Sequence, residues 1–507
     1  MWLQTTILLM NEMKIKPILI TVLVFLTVGA VAPAQSTKRQ LDLPSAIDHA
    51  LKNHPKVRGA ETRLLQKKEG KTEAFGNFLP KINLAYSYTH LDEPISIDLS
   101  PIRDAMITMQ SKNQTELSNI YTILGGQAPL TDAQKQVLTS KYAGQLNGLL
   151  PEFKSTLKRQ DYWTGTLTGV QPLFTGGKLL AASNAAEIEY NTELIELEKI
   201  KNEVTTDVID NWLNVVFLND MVRTRESVLE GMKLHRDRAE KMLAEGLIAR
   251  YNYLRACVAV SDAERNLFDD RKKLELAMLA LTNAISLDEG TTIEVSDTLI
   301  PDNSIKDAEY YASLAEKENP LIRIIDQKSL LAGEKTSAER SKYLPVIAAF
   351  GKYEFYPEYL SAIEPRWAVG VSLNLNIFNG FQDKANIEKS KLLEKEITLI
   401  RADATSKIKL LVNKYHKASV IALERFGQGA TALELAQENL RLNEKRFETG
   451  LGTSLEVVDA RLMLEKSEID RKVSLYDYYK NMGQLYNACG KPLEFLNIWN
   501  KPEEKLK

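Results

Sequence analysis

The chain has 507 residues, and its 65 basic side chains nearly balance its 67 acidic ones. A balanced charge, without a basic stripe and interleaved aromatic residues, argues against a nucleic-acid partner. Hydrophobic residues make up 44% of the sequence but aromatic residues only 7%, which favours long helices over several compact domains.

The N-terminal residues have the pattern of a secretory signal peptide. Two lysines precede an apolar run over residues 18–31, and small residues at positions 32–34 suit a cleavage site. Residues 1–34 are therefore predicted to be removed on export, with Met1 or Met13 as the start. A retained membrane anchor is the alternative, but a run of about fourteen residues is short for a bilayer span. No cysteine follows the cleavage position, so no lipid anchor is expected there.

The rest of the chain contains one pattern twice. Two intervals between matching residues recur without change: Pro55 to Pro80 and Pro320 to Pro345, then Phe174 to Gly246 and Phe378 to Gly450. The offset between copies is 265 residues for the first pair and 204 for the second, so the first copy carries an insertion. We predict a first structural repeat at residues 35–286 and a second at 308–490. A linker at 287–307 lies between them, and a C-terminal tail follows at 491–507.

Each repeat is predicted to form a helix, two strands and then a hairpin of two long helices. The first helices are predicted at residues 44–77 and 306–342, and the hairpins at 178–286 and 382–489. The first helix of each hairpin has about 67 residues, 178–244 or 382–448, and would extend roughly 100 Å.

Apolar residues recur every seven positions along these long helices, which indicates packing against a neighbouring helix. The series is Phe426, Leu433, Leu440 and Phe447 in the second repeat, and Val222, Leu229 and Leu243 in the first. Arg236 interrupts the series in the first repeat, and the sequence alone does not explain this interruption.

The predicted strands alternate apolar and small polar residues. They are expected at about residues 79–90, 161–174, 344–356 and 366–378. In the last one, Trp367, Val369, Val371 and Leu373 alternate with Ala368, Gly370, Ser372 and Asn374. Segments of about ten alternating residues suit strands tilted across a bilayer. The alternative is a soluble sheet, which would need a second layer to form a core.

Four strands do not close a barrel, and an open sheet edge in lipid leaves backbone groups unsatisfied. The chain is therefore expected to oligomerise if it spans a membrane, although the periodicity does not distinguish two, three or four copies. The insertion, residues 91–160, joins the first two strands at the end away from the helices. It is predicted to form short helices with a structural role, as an extracellular cap or surface decoration.

The sequence lacks patterns that indicate catalysis or cofactor binding. The five histidines have no metal-site spacing, and the glycines at 176–177 and 380 are interpreted as turn residues and not as a phosphate loop. Cys257 and Cys489 lie on different predicted helices, so no disulfide is expected between them. We therefore predict neither an enzyme nor a bound cofactor or metal.

The turns of the two helical hairpins are the strongest candidates for a functional site. They are expected to contain Gly246 and Leu247 in the first repeat, and Gly450, Leu451, Gly452 and Thr453 in the second. Glu456 and Asp459 follow the second turn on one helical face, where the first repeat has Asn252 and Arg255. For Glu456 a helix-capping role is the alternative. Around a pore axis, these two acids would form a cation-attracting ring.

Together these features resemble the TolC-like outer membrane efflux proteins over nearly the whole mature chain. The most specific stretch is ENLRLNEKRFETGLGTSLEVVDARLMLEKSEIDR, which begins at Glu438. It is supported by NHP at residues 53–55, by LP before the first strand of each repeat and by F-x-G after the second.

The resemblance implies a mainly α-helical fold with a β-barrel part. A homotrimer would form a 12-stranded barrel in outer-membrane lipid, continued by a long α-helical coiled-coil tunnel in the periplasm. The implied function is passive conduction in a tripartite efflux or type I secretion system, with a periplasmic adaptor (membrane fusion) protein and an inner-membrane transporter as partners. The exported substrate, whether a drug, a metal or a protein, is left open. A periplasmic coiled-coil scaffold without a channel is the alternative.

The resemblance also implies roles for particular residues. Glu456 and Asp459 align with acids of the family's periplasmic aperture, and Phe447 aligns with an aromatic residue of its closing network. The hairpin turns are expected to contact the adaptor or the transporter. The chain departs from the family pattern at two points, since Phe447 has no hydroxyl and Gly452 stands where a basic latch residue can occur.

Overall fold

The computed structural model describes residues 38–287, 292–295, 297–302, 304–357, 360 and 364–499. The predicted signal peptide at residues 1–34 lies outside these residues, as do parts of the predicted linker and the end of the predicted tail.

The first repeat contains most of the described strands and the insertion. Its elements are β1 (Lys38–Gln40), α1 (Leu43–Asn53), α2 (Pro55–Gly76), β2 (Lys81–His90), β3 (Ile95–Asp98), α3 (Ser100–Leu124), α4 (Asp132–Leu149), β4 (Lys154–Lys158), β5 (Asp161–Phe174), α5 (Lys178–Ala244) and α6 (Arg250–Ile285). The linker and the second repeat contain β6 (Thr292–Glu294), α7 (Ala308–Glu318), α8 (Pro320–Arg340), β7 (Val346–Glu354), β8 (Trp367–Asn374), α9 (Gln382–Glu448), α10 (Ser454–Ala488) and α11 (Leu496–Trp499).

Both long helices end in the same way. The helices α5 and α9 have 67 residues each, which corresponds to roughly 100 Å. Gly246 and Gly450 follow them with φ of 75° in both cases, a left-handed conformation that favours glycine. The amide of Leu247 donates to the Met242 carbonyl at 2.9 Å, and the amide of Leu451 donates to the Arg446 carbonyl at 2.9 Å. This pattern satisfies the last carbonyls of each helix and reverses the chain.

The sequence predicted one continuous first helix in each repeat, but this prediction is wrong, because each of these helices is broken once. His54 and Asn319 have ψ of 127° and 122°, because a residue before proline is driven out of the helical region. Each side chain then caps the following helix: His54 Nδ1 accepts from the Lys56 amide at 3.1 Å, and Asn319 Oδ1 accepts from the Leu321 amide at 2.9 Å. The two repeats therefore share this bend.

The predicted heptad frame holds in α9 and fails in part of α5. Leu440 and Phe447 are buried in α9. In α5 the buried positions are Val228, Met232, His235 and Ala239, spaced by four, three and four residues, and Arg236 lies beside this stripe. A straight helix with 3.6 residues per turn drifts relative to a seven-residue repeat, so a frame extended from Val222 becomes wrong further along.

The largest core lies around the middle of α5. Trp212, Tyr311, Tyr478 and Phe495 are fully buried there. The Trp212 indole donates to an Asp297 carboxylate oxygen at 2.9 Å, which attaches the linker to α5. The parallel pair β1–β6 also lies in this region, as Ile293 belongs to the same core. The core therefore ties the linker and the C-terminal helices to both repeats.

Four strands form one antiparallel sheet in the order β2-β5-β7-β8. The predicted strand at 366–378 ends earlier, at Asn374, because its partner β7 begins at Val346 directly opposite. Within the described residues, no helix is both long enough and apolar enough to cross a membrane.

The insertion is a helical hairpin on a β-ribbon. The strands β3 and β4 pair antiparallel, and the Leu91 amide donates to the Gln160 carbonyl at 2.8 Å, so the ribbon continues from the end of β2 and β5. The helices α3 and α4 have 25 and 18 residues, longer than the short helices predicted from the sequence.

Candidate functional site

One face of the four-stranded sheet is apolar and exposed to solvent. Strand pairing places Leu84 opposite Leu167, Leu167 opposite Tyr353 and Tyr353 opposite Trp367, so these side chains share that face. Its exposed members include Val369, with 74% of its surface accessible. Other exposed members are Ile82, Leu84, Tyr86 and Tyr88 of β2, Trp163 of β5, and Trp367, Val371 and Leu373 of β8. A sheet in water would cover such a face.

The opposite face is mainly small and polar, with Val170 and Phe350 as exposed apolar exceptions. Ser87 and Thr164 form a hydrogen bond of 2.7 Å between β2 and β5. Thr166 Oγ1 donates to Glu354 Oε2 at 2.6 Å, and Lys352 Nζ lies 2.7 Å from Glu354 Oε1. The two faces of the sheet therefore differ in polarity, as the faces of strands that border both lipid and water do.

Aromatic side chains mark both ends of the apolar face. At the end away from the long helices, the ring centroids of Trp163 lie 5.2 Å from Tyr86 and 4.9 Å from Tyr88. At the other end, the Phe378 and Phe381 rings are 5.2 Å apart and mostly exposed. Strands of eight to fourteen residues separate the two belts. Aromatic residues at both water interfaces are typical of outer-membrane barrels.

Near the turns, the two helical hairpins pack against each other around Phe447. This side chain is 1% exposed and lies in a small core with Ala239, Ala256, Leu440, Val457 and Ala460. Its ring centroid is 4.8 Å from that of His235 on α5. The residue predicted for the closing network therefore lies inside the chain, between the hairpins.

His235 links the first hairpin to the start of α10. Its Nε2 lies 2.8 Å from the Oγ of Ser454, and both residues are buried. Burial, together with the smaller effect of the nearby cations Arg461 and Arg238, lowers the pKa of His235 to about 4. The imidazole is therefore neutral at neutral pH and forms a buried hydrogen bond between the two repeats.

Arg461 completes this contact between the hairpins. It forms an ion pair with Glu444 across the second hairpin. Its guanidinium also lies over Gly231 of α5, where any Cβ would collide with it. A side chain at this position of α5 would therefore displace the Arg461 guanidinium.

Glu456 takes part in the capping box that begins α10. Its Oε2 accepts from the Thr453 amide at 2.8 Å, while the Thr453 hydroxyl accepts from the Glu456 amide at 3.3 Å. Its other oxygen is 3.6 Å from a guanidinium nitrogen of Arg446. Gly452 packs on the last turn of α9, where a Cβ would be 3.1 Å from the Phe447 amide nitrogen. The alternative role considered for Glu456, helix capping, is therefore present.

Asp459 is exposed and, unlike Glu456, lines a cavity between the first hairpin and α10. The cavity has a volume of about 380 Å³ and is lined by residues of α5, α6 and α10, among them Arg255 and Asp262. Beside it, Arg225 of α5 donates to Asp270 of α6 at 2.9 Å and also pairs with Glu465 of α10. Both carboxylates are buried, so this triad joins three helices.

The roles of His235, Ser454, Arg461 and the Arg225 triad were not predicted from the sequence. The interrupted heptad at Arg236 was the available signal, because it showed that the packed face of α5 is shifted there. The described residues contain no group of His, Cys, Asp and Glu side chains that could hold a metal ion.

The chain thus combines an amphipathic sheet, exposed aromatic side chains at both ends of its apolar face and two long helical hairpins. The model of the outer membrane efflux protein family matches residues 46–286. This match confirms the resemblance drawn from the sequence, and the matched family is one of outer membrane efflux channels, which are not enzymes.

Solved structures share the fold over most of the chain. VceC, an outer membrane protein of Vibrio cholerae, is 16% identical, with 89% of this chain and 96% of that chain covered and a TM-score of 0.65. The CmeC outer membrane channel of Campylobacter jejuni is 14% identical, with coverages of 88% and 85% and a TM-score of 0.65. The open-state MtrE outer membrane channel of Neisseria gonorrhoeae is 16% identical, with coverages of 89% and 89% and a TM-score of 0.64. A search among curated proteins gave no significant match.

Proposed function

We propose that the chain is the outer membrane channel of a tripartite efflux or type I secretion system. Three copies supply four strands each to a 12-stranded barrel, and their helical hairpins continue it as a tunnel in the periplasm. Conduction is passive: an inner-membrane transporter supplies the energy, and a periplasmic adaptor protein connects the two. The chain reaches the outer membrane by means of the predicted signal peptide, residues 1–34.

The observation that carries this proposal is the sheet with an exposed apolar face and two edge strands. In the described part of the chain, β2 and β8 each pair on one side only. In lipid, every unpaired backbone group of such an edge costs several kcal/mol. Pairing β2 of one copy with β8 of the next removes both edges and closes the sheet around its polar face.

The aperture residues predicted from the sequence are assigned distinct roles in this proposal. Asp459 and Glu456 attract cations to the periplasmic entrance, and Arg446 partly neutralises Glu456 through the pair described above. Phe447 acts through packing, because it is buried between the hairpins. The turn residues contact the adaptor or transporter, and Leu247 and Leu451, 64% and 76% exposed, offer apolar contacts there.

A pair of neighbouring substitutions in β8 tests the barrel. Val371→Arg places a charge on the apolar face, whereas Ser372→Arg places the same charge on the polar face. Arginine at the lipid-facing midplane costs about 2–4 kcal/mol, while lumen positions tolerate charge. We expect the full-length Ser372→Arg protein to be extracted from the outer membrane as a trimer by native mass, and the Val371→Arg protein to be depleted from that fraction.

The same experiment distinguishes the scaffold alternative. A periplasmic coiled-coil scaffold would fractionate as a soluble protein, and its two arginine variants would behave alike. A trimer in detergent that conducts ions across a planar bilayer would support the channel. Equal yields of both variants in the outer membrane would show that the apolar face of β8 does not meet lipid.

A further inference from the structure

In the helical hairpin of the insertion, mainly polar residues lie between the two helices and most apolar residues of α3 face outward. The face of α3 that meets α4 is mainly polar, although Ile107 is also buried there. Thr115 Oγ1 lies 2.8 Å from Thr139 Oγ1, and Ser118 Oγ lies 2.9 Å from the Tyr142 hydroxyl. Ser111 on the same face is also buried. Polar contacts hold the hairpin together, and the apolar residues of α3 are left for another surface.

Those apolar residues form one straight stripe on the opposite face of α3. It runs through Ile102, Met106, Met109, Asn113, Leu117, Ile120 and Leu124, all exposed. The spacing is four, three and four residues, and then the same again, so the pattern repeats every 11 residues. An 11-residue repeat keeps a stripe on one face of a nearly straight helix, as in helices that pack side by side. The stripe carries no charged residue.

Lipid is a poor occupant of this stripe. The hairpin begins beyond the aromatic belt of Tyr88 and Trp163, and therefore beyond the apolar face of the sheet. Asn113 stands in the middle of the stripe, where hydrocarbon would leave its amide unsatisfied. In contrast, when helices from several copies pack along an apolar stripe, a single polar residue can form hydrogen bonds with the same residue of the other copies. Such a residue also fixes the register of the helices.

The position of the hairpin indicates which partner is near. The ribbon β3–β4 continues from β2, and β2 is an edge strand of the sheet. In the proposed trimer, which this inference requires, that edge meets the next copy. Each hairpin therefore stands at a boundary between copies, and the three hairpins surround one axis.

We propose that the α3 helices of three copies pack along this stripe into a three-helix bundle, called the collar, which stands above the extracellular mouth of the barrel and leaves the exit open between the three β-ribbons beneath it. The occupant of each stripe is the same stripe of the neighbouring copies, with the Asn113 side chains facing one another at its centre. The insertion is thus an oligomerisation element that fastens the outer end of the trimer.

Cysteine crosslinking tests the collar directly. The background carries Cys257→Ser, since Cys257 is partly exposed whereas Cys489 is fully buried. Asn113→Cys places a thiol on the stripe, and Lys112→Cys places one on an exposed neighbouring position of the same helix, away from the stripe. Mild oxidation of the native, detergent-extracted protein is followed by electrophoresis under denaturing conditions.

We expect a covalent dimer for Asn113→Cys and little or none for Lys112→Cys. A disulfide uses two of the three chains, so the dimer accounts for up to two thirds of the protein. A trimer that conducts ions but gives no dimer at position 113 would overturn the collar and leave the channel intact. The same dimer yield at both positions would show random collision and also overturn it. If the Cys257→Ser background protein, with Asn113 and Lys112 unchanged, is not a trimer, the proposed function on which the collar depends is refuted.

Discussion

Replacement of His235 by alanine tests whether one buried hydrogen bond fastens the two hairpins near their turns. The substitution removes the partner of the Ser454 hydroxyl and the ring that contacts Phe447, at a position that is 3% exposed. An orphaned buried hydroxyl costs about 1–3 kcal/mol, and the cavity adds to that cost. We expect the contact between hairpins to weaken by about 3 kcal/mol.

The matched control is the neighbouring Arg236→Ala. Arg236 is only partly buried and pairs with the adjacent Asp237 in the same helix, so its loss is expected to change stability by less than about 0.5 kcal/mol. The two substituted positions are adjacent in α5, but only His235→Ala removes a buried contact between the repeats.

Limited proteolysis of the native protein measures this local stability. Trypsin can cleave at Lys241 and Arg250, on either side of the first turn, when the hairpin ends open. If cleavage follows the population of the open form, about 3 kcal/mol corresponds to roughly a hundredfold faster cleavage for His235→Ala. Equal cleavage rates for His235→Ala and Arg236→Ala would refute the fastening role of His235.

The pKa of His235 gives the same contact a pH dependence. The pKa of His235 is about 4 in the folded chain, whereas an ordinary histidine, as in the unfolded chain, has a pKa of 6.5. The unfolded chain therefore takes up the proton first as the pH falls. The stabilisation is complete above pH 6.5 and is lost as the pH falls toward 4, by about 3 kcal/mol in total. His235→Gln does not titrate, so its thermal stability should decline less over this window. Parallel declines of the two proteins would contradict this reasoning.

Three further substitutions address the entrance, the turn and the sheet. Replacing both Glu456 and Asp459 by alanine should reduce cation selectivity, and an unchanged reversal potential in a salt gradient would count against the acidic ring. Gly450→Val forces a branched side chain to φ of 75°, which should cost about 1–2 kcal/mol and accelerate proteolysis at the turn; unchanged cleavage would contradict it. Gly370→Ala places a Cβ 2.8 Å from the Phe350 ring and should lower the melting temperature of the protein, and a second substitution, Phe350→Ala, should restore it.

Local signals were sufficient to predict the long helices from the sequence. The expected bounds, 178–244 and 382–448, are those observed, because a glycine-rich turn starts each helix and a left-handed glycine follows its end. The alternation in β8 likewise predicted which residues share a face, since a strand has a period of two. These features depend on residues close together in the chain.

The contacts between hairpins could not be predicted in this way. His235 and Ser454 are 219 positions apart in the sequence. The sequence also does not show that the Arg461 side chain of α10 lies over Gly231 of α5. The insertion was misjudged for a different reason: its helices are joined by polar contacts, so the usual expectation that apolar residues face the nearest helix gave no clear hairpin. Breaks at His54 and Asn319 were signalled by the prolines that follow them.

The equal length of α5 and α9 makes the two hairpins depend on each other. Removing one residue from one helix alone would turn everything beyond it by about 100° and draw its end back by about 1.5 Å. His235 would then no longer meet Ser454, and Arg461 would face a side chain in place of Gly231. Removing seven residues from one helix would nearly restore the face but leave a step of about 10 Å between the turns. The length of the hairpins can therefore change only by matched deletions or insertions in both repeats, so the two copies of the duplicated sequence must alter their length together.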